Sequence, residues 1–202
     1  MELTTLDRVE TGWGTAGLID VETTGLDPVR DEVIELSLLL FGFERRTGEV
    51  KGIIDHYTGL REPDCSISRS AFLVHRISRS SLKGTQLDSG RVNELLEQSE
   101  FLIAHNAGFD YRFVTRLFPS AAAKPWYCSM NGIGWREKGY PSRGLQKLLM
   151  VHRIPVNRAH RAGADVEACL KLLAVMNEQG VSYLLELMKG RVAFGAEEGT
   201  GG

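Results

Sequence analysis

Three apolar segments follow one another near the start of the chain, and they constrain its fold more than any other feature of the sequence. They run over Gly17–Val21, Glu32–Phe43 and Val50–Leu60, with polar turn residues between them. Apolar runs of this length, bounded by turn residues, predict β-strands. We therefore expect the chain to begin with three sequential strands arranged as an antiparallel meander.

The hydrophobic pattern changes from that of strands to that of helices after residue 60. The longest predicted helix, Ala164–Asn177, carries apolar residues at helical spacing along one face. This order of elements predicts an α/β fold with a mixed sheet, in which parallel strands join the meander and helices flank it, as in a ribonuclease-H-like arrangement. The other predicted helices are 66–75, 89–99, 109–118 and 144–151, with a last turn or two at 181–188, and the other predicted strands are 101–104 and 126–130.

A chain of 202 residues has the length of one domain. We expect a polar lead-in over residues 1–13, one folded domain over 14–190 and a flexible Gly- and Glu-rich tail over 191–202. Three widely spaced cysteines without C-x-x-C spacing argue against a disulfide framework and a zinc ribbon, and they favour a cytoplasmic location. No apolar run approaches the ~18 residues of a membrane span, so we expect no membrane partner.

The net charge of −2 argues weakly against a nucleic-acid partner, because proteins that bind nucleic acids are usually basic. The argument fails if several carboxylates are gathered at one metal site. With four acids set aside in this way, 24 basic residues face 22 acidic ones. The charge therefore leaves nucleic acid open as a partner, depending on where the acids lie.

Four acidic residues follow predicted strands or begin predicted helices. Asp20 and Glu22 lie two residues apart at the end of the first strand, so their carboxylates share one face. Asp110 lies in the first turn of the helix after the fourth strand, and Asp165 begins the long helix. Singly, each could cap a turn or interact with a helix dipole. Together they predict a cluster at one rim of the sheet, with the oxygen ligands that Mg²⁺ and Mn²⁺ prefer.

His160 lies on the loop before the long helix, five residues ahead of Asp165. A histidine on a loop is usually a solvated side chain, but beside a cluster of carboxylates and metal ions it can act as a general base. Four carboxylates and one histidine suit phosphodiester hydrolysis with two divalent ions ~3.5–4 Å apart, which bind the attacking and leaving oxygens. The residues thus predict a metal-dependent hydrolase.

Three motifs resemble, in the same order, those of the DEDDh family of 3′→5′ exonucleases. They are Asp20-Val-Glu22-Thr-Thr-Gly25, His105-Asn-Ala-Gly-Phe-Asp110 and His160-Arg-Ala-Gly-Ala-Asp165. From about residue 14 to about residue 175 the chain is similar to the epsilon-type proofreading subunits of bacterial DNA polymerase III and their stand-alone relatives. The resemblance implies two bound divalent ions, Mg²⁺ or Mn²⁺, and removal of nucleotides from 3′ ends of single-stranded DNA.

The resemblance also implies a role for each member of the cluster. Asp20 resembles the carboxylate that bridges both metals, and Glu22 and Asp165 resemble further ligands of the first metal. Asp110 resembles the acid that holds the second metal, largely through water. His160 resembles the general base. These five residues are the predicted catalytic set.

Five residues are implied to contact the substrate: Thr23, Gly25, Leu26, His75 and Asn106. Thr23 and the backbone near Gly25 would meet the terminal 3′-hydroxyl, and Leu26 would pack against the last base. Ordinary turn packing stays open for Leu26, and a helix cap stays open for Asn106. His75 is followed by Arg76 where epsilon-type relatives have glycine, so the match is imperfect there.

Other basic and aromatic residues near the motifs are candidates for a groove that binds the nucleic-acid strand. Trp135 and Tyr140, in a Gly-rich loop, could stack on bases, whereas Trp126 is expected in the core. For each arginine, a solvated surface charge is the alternative to a phosphate contact. The arginines are Arg112, Arg136, Arg143, Arg158 and Arg161.

The residues leave three interpretations of function open. The first is a 3′→5′ exonuclease on single-stranded DNA, which the Thr23-Thr24-Gly25 segment favours through its epsilon-type resemblance. The second is the same chemistry on RNA ends or short oligoribonucleotides, where the site must tolerate a 2′-hydroxyl. The third is a DNA polymerase-associated subunit that acts mainly through binding. The preferred metal, the pathway and the choice between monomer and homodimer also stay open.

Overall fold

The structure, a computed structural model, describes residues 3–6, 10–156, 160–177 and 180–195. A five-stranded sheet with the strand order β3-β2-β1-β4-β5 forms its centre. Strands β1 to β3 pair antiparallel, whereas β4 runs parallel to both β1 and β5. This confirms the predicted mixed sheet with an antiparallel meander. The strands are β1 (Trp13–Thr23), β2 (Val33–Glu44), β3 (Val50–Leu60), β4 (Phe101–Ala104) and β5 (Trp126–Cys128).

Six α-helices are described, and each lies near a segment predicted to be helical. They are α1 (Arg69–His75), α2 (Ser89–Gln98), α3 (Ala107–Leu117), α4 (Leu145–Val151), α5 (Ala162–Leu173) and α6 (Tyr183–Met188). Two short 3₁₀ turns, Arg79–Leu82 and Pro119–Ala123, were not predicted. The prediction for α5 was wrong at its end: the helix stops at Leu173 rather than at 177, because Met176 forms a β-bridge with Ser182. None of the described helices is long and apolar enough to cross a bilayer.

Both faces of the central strands are buried, since successive side chains of a strand point to opposite faces. On one face, Leu18 of β1 belongs to a cluster that includes Leu170 of α5. On the other face, Ile19 belongs to a cluster that includes Val114 of α3. The helices on both faces cover the sheet and leave the carboxyl ends of the parallel strands β1 and β4 at one edge, where open α/β sheets bind ligands.

Parts of both predicted flanking segments contact the sheet. Thr5 forms a β-bridge with Ile53, and Phe194 forms one with Trp126. The Phe194 ring also stacks on Tyr111, with the ring centroids 4.8 Å apart. Residues 191–195 of the predicted tail therefore lie against β5, while residues 1–2, 7–9 and 196–202 lie outside the described part of the chain. The domain boundaries themselves stay a prediction.

Candidate active site

Two acidic residues lie at the carboxyl end of β1, which is the central strand of the sheet. Asp20 and Glu22 follow the buried Ile19 on this strand, which pairs with β2 on one side and β4 on the other. The parallel strand β4 ends beside β1, and α3 begins three residues later. Asp110, in the first turn of α3, reaches back so that its Oδ1 accepts a hydrogen bond from the Val21 N–H at 3.2 Å. Three of the predicted acids thus meet at this edge.

The start of α5 brings the remaining two predicted catalytic residues to the same edge. Asp165 lies in the first turn of α5 and is buried. The backbone N–H of His160 donates a hydrogen bond to Asp165 Oδ2 at 2.9 Å. His160 has a φ of 60°, a left-handed conformation that is costly for a residue other than glycine. The hydrogen bond to Asp165 helps to hold this turn.

All five predicted catalytic residues line one cleft of about 400 Å³. One carboxylate oxygen from each of Asp20, Glu22 and Asp165 lies within 4.8 Å of the others. Asp110 is 2% exposed and lines the same cleft. The structure therefore brings together the residues that the sequence singled out, while the role of each stays a prediction.

Burial and mutual repulsion raise the pKa values of these carboxyl groups. Burial raises the pKa of Glu22 to about 8, and the charges of Asp165 and Glu35 add to the effect. The pKa of Asp20 lies well above its ordinary value because of burial and then because of Asp110 and Glu22. Burial also raises the pKa of Asp110. The cleft therefore carries more negative charge than its described surroundings offset, which is the environment that a divalent cation stabilises.

A fifth acid, Glu35, lies behind the cluster and was missed by the sequence analysis. Glu35 is on β2 directly opposite Glu22 and is 1% exposed. Its carboxylate binds the guanidinium of Arg161, whose Nε lies 3.1 Å from both carboxylate oxygens. Arg161, which was a candidate for the strand-binding groove, therefore has its guanidinium on Glu35. The available signal was a charged residue inside an otherwise apolar strand, which needs a buried partner.

Gln146 is a second residue that the sequence analysis missed. It lies in the first turn of α4 and lines the cleft. Its Nε2 donates a hydrogen bond to Asp165 Oδ1 at 2.9 Å, so both oxygens of Asp165 accept from nitrogen donors. A glutamine near the start of a short helix gives no distinctive sequence signal, because only the tertiary packing of α4 against α5 brings the two residues together.

His105 connects the end of β4 to the loop that leads into α4. Its Nε2 lies 2.9 Å from the backbone oxygen of Arg143, and its Nδ1 lies 2.9 Å from the Ser129 hydroxyl. Because a carbonyl can only accept, Nε2 donates and Nδ1 accepts from Ser129. Burial lowers the pKa of His105 to about 4, so the ring is neutral. These two hydrogen bonds give His105 a structural role at the end of β4.

Three predicted substrate-binding residues lie at the last residue of β1 and on the turn that follows it. Thr23 is 5% exposed, and its hydroxyl donates to the backbone oxygen of Gly25 at 2.5 Å. A Cβ on Gly25 would lie 2.4 Å from a carboxylate oxygen of Asp31, so this position has no room for a side chain. Leu26 is 80% exposed, which leaves it free to contact a base. None of the three is among the described residues that line the cleft.

The other two predicted substrate-binding residues differ in exposure. Asn106 lines the cleft with a φ of 77°, and its side chain makes no capping hydrogen bond to the described backbone of α3, which disfavours the helix-cap alternative. His75 is 3% exposed and lies outside the described lining of the cleft. Its Nδ1 accepts a hydrogen bond from the Ile77 N–H at 2.9 Å. Burial lowers the pKa of this imidazole.

The predicted base-stacking role of Trp135 was wrong. Its side chain is fully buried, and its Nε1 donates to the Ser129 backbone oxygen at 2.8 Å. Tyr140 is half-buried, and its hydroxyl lies 3.0 Å from the Tyr183 hydroxyl. The Gly-rich loop folds inward because these aromatic rings complete the core beside α6. Trp126 is buried as predicted.

Three of the arginines proposed for a groove are exposed, namely Arg112, Arg136 and Arg143. The Arg112 Nε donates to the backbone oxygen of Gly108, and Arg143 donates to the Asn131 side chain. Arg158 lies outside the described residues. The exposed guanidinium groups agree equally with a solvated surface and with phosphate contacts.

Comparison with known proteins links this cleft to a family. Residues 18–173 match the family model RNase_T, described as Exonuclease. The chain is 27% identical over 198 residues to the DNA polymerase III PolC-type of Thermotoga maritima, an alignment that covers 88% of this chain and 13% of that protein. It is 28% identical over 169 residues to the DNA polymerase III subunit epsilon of Treponema pallidum, covering 78% of this chain and 74% of that protein.

A solved structure with the same fold supports this comparison. Exonuclease X in complex with 5′ overhanging duplex DNA aligns with a TM-score of 0.60 and 21% identity, covering 84% of this chain and 99% of that chain. This confirms the predicted ribonuclease-H-like sheet flanked by helices. The chain spans only 13% of the length of the first PolC-type relatives that it matches, so the activities of those whole proteins do not transfer with the match.

Proposed function

The chain belongs to the exonuclease family whose model covers residues 18–173, and from this premise we propose that it removes nucleotides from 3′ ends of single-stranded DNA in a reaction that needs divalent metal ions. The observation that carries the proposal is the approach of Asp20, Glu22 and Asp165 to within 4.8 Å of one another beside His160. The PolC-type and epsilon relatives are named as a DNA polymerase and a DNA polymerase subunit, which supports DNA as the substrate class.

The donor set of the cleft fits hard divalent cations. Asp20, Glu22 and Asp165 offer carboxylate oxygens close enough to share an ion, and Asp110 offers a fourth on the same cleft. Burial, and after it the repulsion between neighbouring carboxylates, raises the pKa values of Glu22 and Asp20, and a divalent cation would offset both effects. When bound, two Mg²⁺ or Mn²⁺ ions would activate a water and stabilise the leaving oxygen of a phosphodiester.

His160 is the proposed general base of a DEDDh-type reaction. Its side chain is exposed to the cleft that holds the four acids. A neutral imidazole there accepts the proton of the attacking water, and the hydrogen bond from the His160 N–H to Asp165 fixes the loop beside the metal ligands. The proton then leaves through solvent, since the ring is at the surface.

Binding of the DNA end is proposed to involve residues on two sides of the cleft. Leu26 projects into solvent from the turn after β1, and Asn106 projects into the cleft at the start of α3. Lys147 also lines the cleft and would offset a phosphate charge there. Thr23, Gly25 and His75 would shape this side from within the fold. Attachment to a DNA polymerase subunit remains a proposal from the names of the relatives.

The proposal is tested with DNA and RNA strands of one sequence, each labelled at the 5′ end. The protein is incubated with each strand in Mg²⁺, in Mn²⁺ and in EDTA, with Asp20→Asn as the matched inactive variant. We expect a metal-dependent ladder that shortens from the 3′ end, faster on DNA and absent in the variant. Faster cleavage of RNA would assign the substrate to RNA ends. No ladder on either strand, with a folded parent protein, would overturn the assignment.

A further inference from the structure

An ion pair between a buried carboxylate and a partly exposed guanidinium anchors the start of α5 to strand β2. Both carboxylate oxygens of Glu35 accept from the Nε of Arg161 at 3.1 Å, and the guanidinium Nη2 binds Oε1 as well. The second oxygen, Oε2, also accepts from the Ala162 N–H at 2.9 Å. Arg161 is the N-cap residue of α5, and its own side chain does not cap the described helix. Glu35 therefore performs that function from a different element.

This pair is an unusual solution for stability alone. The Glu35 side chain is 2% exposed, and buried ion pairs repay their desolvation cost only when the geometry is excellent. Glu35 also lies directly opposite Glu22, where like charges destabilise a pair of strands. Arg161 offsets both charges, and it lowers the pKa of Glu22 as the neighbouring acids raise it. What the pair provides is a fixed position for the first residues of α5.

The residue before this anchor is the proposed general base. His160 directly precedes Arg161, and its left-handed backbone, with a φ of 60°, needs surrounding contacts to persist. The described structure supplies two restraints, which are the bond from the His160 N–H to Asp165 and the ion pair of the adjacent Arg161. The two restraints hold the backbone on both sides of the His160 α-carbon.

We propose that Glu35 and Arg161 are positioning residues that hold the His160 imidazole at the carboxylate cleft. This inference rests on the proposed function of His160 as general base. The two-point contact of the guanidinium with Glu35 sets the orientation of the peptide, which a lysine ammonium, as a single point charge, does not reproduce. Arg161→Lys therefore keeps the charge balance beside Glu22 and removes the orientation.

The test compares Arg161→Lys in two backgrounds, the parent and His160→Ala. Rates are measured in enzyme excess on 5′-labelled single-stranded DNA, so that the low activity of His160→Ala can be followed. Mn²⁺ affinity is measured by titration calorimetry without DNA, and the unfolding temperature is recorded for each protein. Glu35→Gln, which keeps the shape of the side chain and one acceptor oxygen, is the second variant if Arg161→Lys does not fold.

We expect Arg161→Lys to lower the rate constant at saturating protein by ~10-fold or more, since small misplacements of a reacting group cost up to ~100-fold. The protein concentration that gives half the maximal rate and the Mn²⁺ affinity should each stay within about twofold of the parent, because Asp165 keeps its hydrogen bond from Gln146 and its backbone bond to Arg161. In the His160→Ala background the same change should lower the rate by less than about twofold.

An equal loss of rate in both backgrounds would overturn the inference, because the pair would then act independently of His160. A parallel loss of Mn²⁺ affinity would overturn it as well, since the pair would then hold Asp165 rather than His160. If the parent is active and Arg161→Lys cleaves DNA at the parental rate, the positioning role is refuted and the proposed function stays intact. A folded parent without metal-dependent cleavage refutes the proposed function itself.

Discussion

Replacing Glu22 by glutamine tests the electrostatics of the cleft without any catalytic assay. Burial and nearby carboxylates raise the pKa of Glu22 from 4.5 to about 8. Over this range the folded protein holds a proton that the unfolded chain has already released. The metal-free protein should therefore carry a pH-dependent cost of folding that the glutamine variant lacks.

The sign and the size of this cost follow from proton linkage. Below pH 4.5 the carboxyl group is protonated in both states and costs nothing, and the stability of the folded state then falls as the pH rises through the range to about 8. A tenfold change in proton affinity is worth ~1.4 kcal/mol, so a pKa raised from 4.5 to about 8 corresponds to about 5 kcal/mol at most. Neighbouring acids that take up protons in place of Glu22 reduce this figure.

The assay is urea unfolding in EDTA from about pH 5.5 to about pH 8.5, for the parent and for Glu22→Gln. Because the two proteins differ only at Glu22, the difference in the free energy of unfolding reports Glu22 together with its effect on the neighbouring acids. We expect the variant to gain ~1–3 kcal/mol relative to the parent across this range. Glu97→Gln, at an exposed position of α2, is the control and should show no such gain.

Adding Mg²⁺ should make the parent more stable to urea than the Glu22→Gln variant, which is the reverse of the order expected in EDTA. A cation that binds the folded state at 100 times its dissociation constant stabilises by ~2.7 kcal/mol, and the parent should gain more than a variant that has lost one ligand. A stability difference between parent and Glu22→Gln that stays constant with pH in EDTA would refute the description of the cleft as uncompensated negative charge.

Three further substitutions have defined expected outcomes. His160→Ala should lower kcat by ~10²–10⁴-fold, as measured by initial rates; a rate within about twofold of the parent would contradict the base role. Gln146→Leu removes the hydrogen bond to Asp165 Oδ1 and should weaken Mn²⁺ binding by ~10-fold in a calorimetric titration, whereas parental affinity would show that Asp165 is held without it. Trp135→Phe leaves the Ser129 carbonyl without its donor and should cost ~1–3 kcal/mol in urea unfolding, with an unchanged KM for DNA. A raised KM at unchanged stability would instead restore the base-stacking role of Trp135.

The sequence predicts that the four acids meet at one cleft, and the structure confirms this, because the acids lie at element boundaries. Asp20 and Glu22 share a face through the two-residue period of a strand, and Asp110 and Asp165 lie in first turns of helices whose apolar faces are visible in the sequence. Once parallel β4 lies beside β1, the sheet geometry brings these residues to one edge. Local pattern and topology are therefore enough to place them.

The residues that the sequence analysis missed depend on contacts between distant segments. Glu35 and Arg161 are separated by 126 positions, and their pairing becomes visible only when α5 docks on β2. Trp135 lies in a segment whose glycines indicate an exposed loop, yet its indole fills the core because α6 provides a surface for it. Burial of this kind depends on tertiary contacts, and the local amino-acid composition does not identify the residues that make them.

The two outer strands of the sheet, β3 and β5, affect how the protein behaves in concentrated solution. Outer strands offer unpaired N–H and C=O groups, to which strands of other molecules can add. Here Thr5 lies on Ile53 of one outer strand, and Phe194 lies on Trp126 of the other. Each of these short segments therefore covers part of an outer strand to which a strand of another molecule could add. A version trimmed to residues 14–190 would lose both segments while keeping all five predicted catalytic side chains, so its solubility should fall while the cleft stays intact.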